Sequence, residues 1–233
     1  MMETLSLTSL EVEALSLSLW VSGWAVIGSL PAGIAVAWVL ARLRFPGKIL
    51  LDGLVHLPLV LPPVVTGYTL LVLMGRNGVL GSLLQETIGL SFSFNWKGAA
   101  LASALMAFPL LVRAVRLSIE AVDQGLEAAA RTLGAGPLRV FFSVTLPLIM
   151  PGVLAGVILC FARSLSEFGA TITFVSNIPG QTRTLPLALY TLTQVPGGEA
   201  GALRICIISV FLALLALVGS ELMARLLHHR LKG

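Results

Sequence analysis

An arginine and a glutamate interrupt one of the long apolar runs of this sequence. Arg163 and Glu167 lie four residues apart, with Ser164 and Ser166 between them, in a largely apolar run over residues 145–175. Residues four apart share one face of a helix, so the two charges can pair there. Because ionisable groups at membrane depth usually face a bundle interior or water, we expect this face to line or close a polar path. The alternative is that the pair only locks the helix to its neighbours.

Threonine hydroxyls extend the candidate path beyond the ion pair. Thr171 and Thr173 follow in the same run, and Thr66, Tyr68 and Thr69 form a weaker candidate in an earlier run. As one helix, the whole later run would measure about 46 Å at about 1.5 Å per residue. The hydrocarbon core of a bilayer is only about 30 Å thick. This run is therefore expected to tilt, break or protrude.

A short polar segment between two apolar runs is the second candidate for function. Its residues are Glu127, Ala128, Ala129, Ala130, Arg131 and, at its end, Gly134. Alanine favours a helix, and the glycine is typical of a helix stop. Asp123, Glu127 and Arg131 recur at intervals of four, which favours ion pairs along that helix. We expect a docking element through which a soluble partner moves a membrane domain; the alternative is an amphipathic helix lying on the membrane.

Catalytic motifs are missing from the sequence. No Gly-x-x-x-x-Gly-Lys-Ser/Thr phosphate-binding loop occurs, the three histidines do not cluster with carboxylates, and no Ser-His-Asp arrangement is indicated. Cys160 and Cys206 both fall in apolar runs and are expected to be buried, inert thiols. We therefore expect no enzyme activity, no metal or cofactor held by this chain, and no nucleic-acid partner.

The composition indicates the element that must position these residues, a set of membrane helices. The chain is 57% hydrophobic and 11% charged, whereas soluble domains carry about 25% charged residues. A membrane-crossing helix needs about 20 mostly apolar residues, and five such runs occur, over 15–40, 53–74, 98–117, 144–166 and 203–223. The sequence predicts an all-α integral membrane protein, one domain over 1–233, with a cytoplasmic loop at 118–143.

Basic residues are distributed unevenly between the segments that join these runs. Those on one side, which include the 118–143 loop and the C-terminal tail, hold ten lysines and arginines, and those on the other side hold four. Positive residues stay cytoplasmic, which predicts the N-terminus outside and the C-terminus inside. Residues 184–195 carry leucines at helical spacing and are expected to form either a short helix at the outer mouth or an ordered loop.

The polar segment resembles the EAA loop of ABC importer permeases. The pattern of that loop is Glu-Ala-Ala, three residues, Gly, nine residues and Ile-x-Leu-Pro. Ala128-Ala129-Ala130 fall in the first position, Gly134 in the second, and nine residues separate Gly134 from Val144-Thr145-Leu146-Pro147. The departure is Ala128, which stands where the family often has glutamate, while Glu127 lies one residue earlier.

Further stretches resemble the molybdate permeases of bacteria over nearly the whole chain. They are Arg44-Phe-Pro-Gly-Lys48, His56-Leu-Pro-Leu-Val-Leu-Pro-Pro63, Ala130-Arg-Thr-Leu-Gly-Ala135, Phe161-Ala-Arg-Ser-Leu-Ser-Glu-Phe-Gly-Ala170, Thr171-Ile-Thr-Phe-Val-Ser-Asn-Ile-Pro-Gly180 and Pro196-Gly-Gly198. The Arg-Ser-x-x-Glu-Phe-Gly element also resembles sulfate permeases. The longer match through Asn177-Ile-Pro-Gly180 is what favours molybdate.

This resemblance implies the type I ABC importer permease fold and a role in ATP-driven import of molybdate across the inner membrane by alternating access. It also implies a homodimer, two cytoplasmic ATPase subunits that bind ATP and magnesium, and a periplasmic molybdate-binding protein. Two other functions stay open from the sequence, a sulfate or tungstate permease and a stand-alone anion channel.

Overall fold

The structure is a computed structural model that describes residues 7–232, with the side chains of residues 7–219 and 222. Residues 1–6 and 233 of the predicted single domain, and the side chains of the C-terminal tail, lie outside that range. The elements in chain order are α1 Ser9–Arg42, α2 Lys48–Val60, α3 Pro63–Met74, α4 Val79–Ile88, α5 Trp96–Ala121, α6 Gln124–Thr132, α7 Pro137–Val140, a π turn Phe141–Thr145, α8 Leu146–Leu165, α9 Gly169–Val175, α10 Leu185–Thr193 and α11 Glu199–Lys232.

Within the part of the chain that the structure describes, four helical stretches are long and apolar enough to cross a membrane. They are α1, α5, the continuous helix Pro137–Leu165 made by α7, the π turn and α8, and the Glu199–Gly219 part of α11. The bent pair of α2 and α3 makes a fifth if it counts as one span. The predicted all-helical membrane architecture is confirmed.

The run predicted as the second span, 53–74, is two helices that meet at an angle of 113°. Leu61 (φ −71°, ψ 143°) and Pro62 (φ −55°, ψ 134°) both leave the helical region. The reason is that each of them precedes a proline, whose ring clashes with a helical residue before it. Pro63 then begins α3, where a missing N–H costs nothing. Two consecutive prolines therefore turn one apolar run into a sharp corner.

Helix α5 lies at the centre of the bundle, between α1 and α8. The most apolar 18-residue stretch of α5 is 61% buried inside the protein, whereas the corresponding stretch of α11 is 17% buried. Glycines on both neighbours allow close packing: a Cβ on Gly33 would lie 2.7 Å from Leu111, and one on Gly156 would lie 2.9 Å from the same side chain. Small residues are typical of helix contacts in membranes.

The apolar run over 145–175 breaks, which was one of the three outcomes expected from its length. Helix α8 ends at Leu165 and α9 begins at Gly169. Helix α9 then packs on α3, because a Cβ on Gly67 would lie only 2.5 Å from the carbonyl oxygen of Ala170. The bundle thus contains two short helices, each beginning after a break, side by side.

Three smaller elements complete the comparison with the sequence. Residues 184–195 form the helix α10, the first of the two expected alternatives. Helix α4 was not predicted. Cys160 is buried as expected, whereas Cys206 is exposed, so the expectation was wrong for Cys206, because α11 packs against the bundle along one side only.

Candidate functional site

The polar segment predicted to dock a partner folds as the short helix α6. Asp123 begins the helix, and its carboxylate accepts a hydrogen bond from the backbone N–H of Gly125 at 2.8 Å. At the other end the N–H of Gly134 donates to Arg131 at 3.0 Å and that of Ala135 to Ala130 at 3.1 Å. Gly134 has φ +84°, which a glycine adopts without strain, so this is a Schellman stop. The predicted glycine stop is confirmed.

The outward face of this region is apolar. Leu133 and Leu138 are 89% and 75% exposed, and Leu126 and Phe142 are also exposed. Exposed apolar groups that lie together mark a surface that binds another protein or a membrane. Ala128 and Ala129 are exposed as well, so small side chains leave the helix backbone open to a partner. This geometry suits insertion of α6 into a groove.

The inward face of α6 is held by a carboxylate. Glu127 is the buried residue of the helix, and its Oε1 lies 2.9 Å from Nη2 of Arg42, the last residue of α1. The same oxygen accepts a hydrogen bond from the hydroxyl of Thr145 at 2.8 Å. We call these three residues, Arg42, Glu127 and Thr145, the clasp. They join α6 to the end of α1 and to the π turn that leads into α8.

The clasp corrects one expectation about this helix. Glu127 pairs with Arg42 and not with Arg131, although Arg131 lies only four residues away. The physical reason is that Arg42 is largely buried, and a buried guanidinium needs a counter-charge more than an exposed one does. A cavity of about 470 Å³ lies beside the clasp and is lined in part by Trp38, Arg42 and Glu127.

The second candidate site lies at the break between α8 and α9. Nη1 of Arg163 lies 2.7 Å from Oε2 of Glu167, so the predicted pairing is confirmed. The pair does not run along one continuous helix, because α8 ends at Leu165. The other carboxylate oxygen of Glu167 accepts a hydrogen bond from the N–H of Ala170 at 2.8 Å. Glu167 therefore ties the end of α8 to the beginning of α9.

The remaining predicted path residues of this run divide into buried and accessible ones. Ser164 is buried and donates to the carbonyl of Ser103 at 3.4 Å. Thr171 is also buried, and its hydroxyl has no hydrogen-bond partner among the described residues. Thr173 is half-buried and donates to Gly169 at 2.8 Å, and the exposed Ser166 donates to Arg163 at 3.1 Å.

The structure brings the two predicted path segments together. Gly67 of α3 contacts Ala170 and Thr173 of α9. Tyr68 and Thr69, the next residues of α3, are exposed, whereas Thr66 is buried. The surface formed by Tyr68, Thr69 and Thr173 on these two helices is the α3–α9 surface. Ser164 and Thr171 point into the bundle instead, so they support this surface from behind.

Two polar contacts were missed by sequence reasoning. Arg42 was counted only as a basic residue at the end of a span, and Thr145 only as a variable position of the loop pattern. A separate network joins α2 to α5: Arg116 lies 3.0 Å from Asp52 and 2.8 Å from Glu120. No local spacing signals the contacts of Arg42 with Glu127 or of Arg116 with Asp52, because these partners lie 85 and 64 positions apart in the chain.

A helical membrane domain that carries a short capped helix with an apolar outer face, and a polar break between α8 and α9, fits the permease class of ABC importers. A solved structure supports the fold: a crystal structure of a bacterial alginate ABC transporter matches with a TM-score of 0.74 at 18% identity, over 96% of this chain and 81% of that chain.

The chain belongs to the family described as "Binding-protein-dependent transport system inner membrane component", whose model matches residues 29–233. It is 62% identical over 224 residues to the molybdenum transport system permease protein ModB of Escherichia coli (strain K12), covering 96% of this chain and 98% of that protein. It is 57% identical over 222 residues to ModB of Haemophilus influenzae, covering 95% and 97%. The chain is thus a multi-pass protein of the inner membrane and the transport subunit of an ABC importer, which works with a separate ATPase and a substrate-binding protein.

Proposed function

We propose that this chain is the permease of a molybdate importer and that two copies of it form the transport path. The observation that carries the substrate is the 62% identity to ModB over nearly the full length of both proteins. A periplasmic molybdate-binding protein delivers the anion to the outer mouth. Two ABC ATPase subunits, which bind ATP and magnesium, dock on the cytoplasmic side. The permease itself holds no cofactor.

The coupling element is the segment from Glu127 to Gly134. Its apolar outer face, with Leu133 and with Leu126 adjacent to the segment, enters a groove of the ATPase. The clasp binds the inward face of α6 to α1 and to the π turn before α8. A displacement of α6 is therefore transmitted to both α1 and α8. Charge-assisted hydrogen bonds with little exposure are strong enough to carry such a displacement. ATP binding draws the two α6 helices together and opens the path outward, and hydrolysis resets it.

The path is formed by the α3–α9 surface and its symmetry mate. Val60, Val64 and Val72 leave a largely apolar face on α2 and α3 exposed, and a second copy covers it. Arg163 lowers the barrier for a dianion, and the threonine hydroxyls replace part of the water shell of the anion. Glu167 neutralises part of the charge of Arg163. Because conduction requires weak binding, this neutralisation helps the anion to leave.

Reconstitution in liposomes tests this function. The permease, its candidate ATPase and the binding protein are incorporated together, and ATP-dependent uptake of molybdate is measured with sulfate and tungstate as competitors. Molybdate uptake that requires the ATPase and resists an excess of sulfate is expected. Uptake that persists without any ATPase would identify a channel. Uptake that sulfate abolishes would identify a sulfate permease.

A further inference from the structure

An open apolar groove runs along the contact between α1 and α5, away from the clasp and the α3–α9 surface. Its volume is about 590 Å³, and its walls include Trp24, Gly28 and Ala32 of α1 and Leu101, Ala104 and Phe108 of α5. Leu90 and Phe92, from the segment before α5, close one end.

Small residues on α1 leave the groove open. A Cβ placed on Gly28 would meet no atom within 4 Å, whereas one placed on Gly33, little more than one turn further along α1, would lie 2.7 Å from Leu111. Helices α1 and α5 are therefore in close contact at Gly33, whereas Gly28 faces the open groove that both helices line. The space between them is apolar and faces the side of the bundle.

The closed end of the groove has the residues of a membrane interface. Trp20, Trp24 and Trp96 form a cluster with ring centroids 5.8, 5.8 and 6.3 Å apart. Tryptophan is enriched where the hydrocarbon core meets the head groups. Lys97 is exposed beside this cluster and carries the only charge among the described residues that line the groove. A cation with no lining carboxylate favours an anionic group at this level.

The length of the groove matches one leaflet. From Trp96 to Phe108 the axis of α5 rises about 18 Å at 1.5 Å per residue. Half of the hydrocarbon core measures about 15 Å. Both α1 and α5 have their clasp-side ends at the opposite pole of the bundle, so the groove opens to the leaflet far from α6.

We propose that this groove binds one acyl chain of an anionic glycerophospholipid from the leaflet opposite the coupling helix. The acyl chain of the lipid lies between Gly28 and Ala104. The tryptophan cluster surrounds the glycerol region, and the ammonium group of Lys97 contacts the phosphate. The bound lipid fills the gap between α1 and α5 and so forms part of the packed structure of the permease. The inference does not depend on which anion the protein transports.

The test uses the full chain in nanodiscs made of equal parts phosphatidylglycerol and phosphatidylcholine, released into the gas phase for native mass spectrometry. Wild-type protein is expected to retain phosphatidylglycerol. Gly28→Leu fills the groove and is expected to lose the retained lipid. Gly23→Leu is the matched control, because Gly23 lies on the same helix, also meets no atom within 4 Å, and lines a different groove. Equal retention in the two variants, or equal loss, would overturn the proposal.

A second pair of variants tests the head group. Lys97→Gln is expected to reduce the preference for phosphatidylglycerol about fivefold, the contribution of one lysine near an anionic surface. Arg76→Gln removes another exposed cation and is expected to leave that preference unchanged. An unaltered preference in Lys97→Gln would overturn the assignment. A photo-crosslinking residue at Ala104 separates the occupants: a lipid adduct is expected, and an adduct with a second permease chain would contradict the lipid assignment.

Discussion

Two arginine–glutamate pairs of similar N–O distance differ in how far apart their residues lie in the sequence and in how exposed their side chains are. Arg42 and Glu127 lie 2.9 Å apart with side chains 10% and 11% exposed, and Arg163 and Glu167 lie 2.7 Å apart with side chains 26% and 1% exposed. The first pair joins residues 85 positions apart in the sequence, and the second joins residues four apart. The first therefore holds two distant elements together, whereas the second stabilises one break and leaves its arginine partly accessible.

Under the proposed function, this difference assigns the transmission of a displacement to the first pair and the anion path to the second. A pair whose two side chains are both largely buried joins α6 to α1 and is suited to hold them together. A pair with a buried carboxylate and a partly accessible arginine leaves donors free for an oxyanion. The comparison predicts that variants of the first pair uncouple transport from ATP hydrolysis, and that variants of the second change the anion flux itself.

Breaking the clasp should have the largest effect on stability and uptake. Glu127→Ala leaves Arg42 buried without its counter-charge, which costs about 3–5 kcal/mol for a buried pair. We expect a lower unfolding temperature of the permease and a strong loss of uptake. The matched control is Glu120→Ala, which also removes a carboxylate 2.8 Å from an arginine but with its side chain 42% exposed. That control should cost about 0–1 kcal/mol, and an equal cost in both variants would contradict the role of the first pair in holding α6 to α1.

Removing the accessible arginine should reduce the anion flux. Arg163→Gln takes away charge-assisted hydrogen bonds that contribute about 1.5–3 kcal/mol, so the uptake rate should fall about ten- to hundredfold. The amount of ATPase that copurifies with the permease should stay unchanged, because Arg163 lies far from α6 in the fold. Transport kinetics and copurification are the two measurements. Loss of ATPase assembly with normal uptake by the remaining complexes would reverse the two roles.

Separating the two short helices should weaken the path. Gly67→Ala places a methyl group 2.5 Å from the carbonyl oxygen of Ala170, and overpacking of this kind costs about 1–3 kcal/mol. The unfolding temperature and the rate of uptake should both fall. Gly53→Ala on α2, where a Cβ meets no atom within 4 Å, should be neutral or stabilise by about 0.5–1 kcal/mol. Full stability of Gly67→Ala would show that the contact between α3 and α9 is dispensable.

The smallest effect should come from the hydroxyl of the clasp. Thr145→Val keeps the shape of the side chain and removes one hydrogen bond to Glu127, worth about 0.5–1.5 kcal/mol. Uptake per ATP hydrolysed should fall about two- to tenfold by the same range. Thr132→Val on the exposed side of α6 is the control and should leave that ratio unchanged. A loss in Thr132→Val equal to that in Thr145→Val would assign the effect to helix propensity rather than to the clasp.

The sequence was most informative where structure depends on local spacing. The apolar runs, the pairing of Arg163 with Glu167 and the stop at Gly134 follow from helix geometry and membrane thickness, and all appear in the structure. The corner at Pro62 and Pro63 had a local signal, because a proline disfavours a helical residue before it, but the run 53–74 was predicted as one span. Helix α4 was missed because ten residues are too few to register as a span.

Contacts between distant segments could not be predicted in the same way. Arg42 meets Glu127 only after α1, α5 and α8 have packed, and nothing in the neighbourhood of Glu127 distinguishes Arg42 from the nearer Arg131. The orientation of the chain in the membrane, inferred from the distribution of basic residues, stays a prediction. So do the homodimer and the roles of the path residues.

The ratio of molybdate imported to ATP hydrolysed, measured in liposomes for the complete transporter, tests the central claim most directly. Wild-type protein should import molybdate at a fixed ratio. The neutral variant Glu127→Gln should continue to bind the ATPase and hydrolyse ATP while importing less molybdate per ATP, and the exchanged pair Arg42→Glu with Glu127→Arg should recover part of the ratio. An unchanged ratio in Glu127→Gln, with uptake at the wild-type rate, would contradict transmission through the clasp.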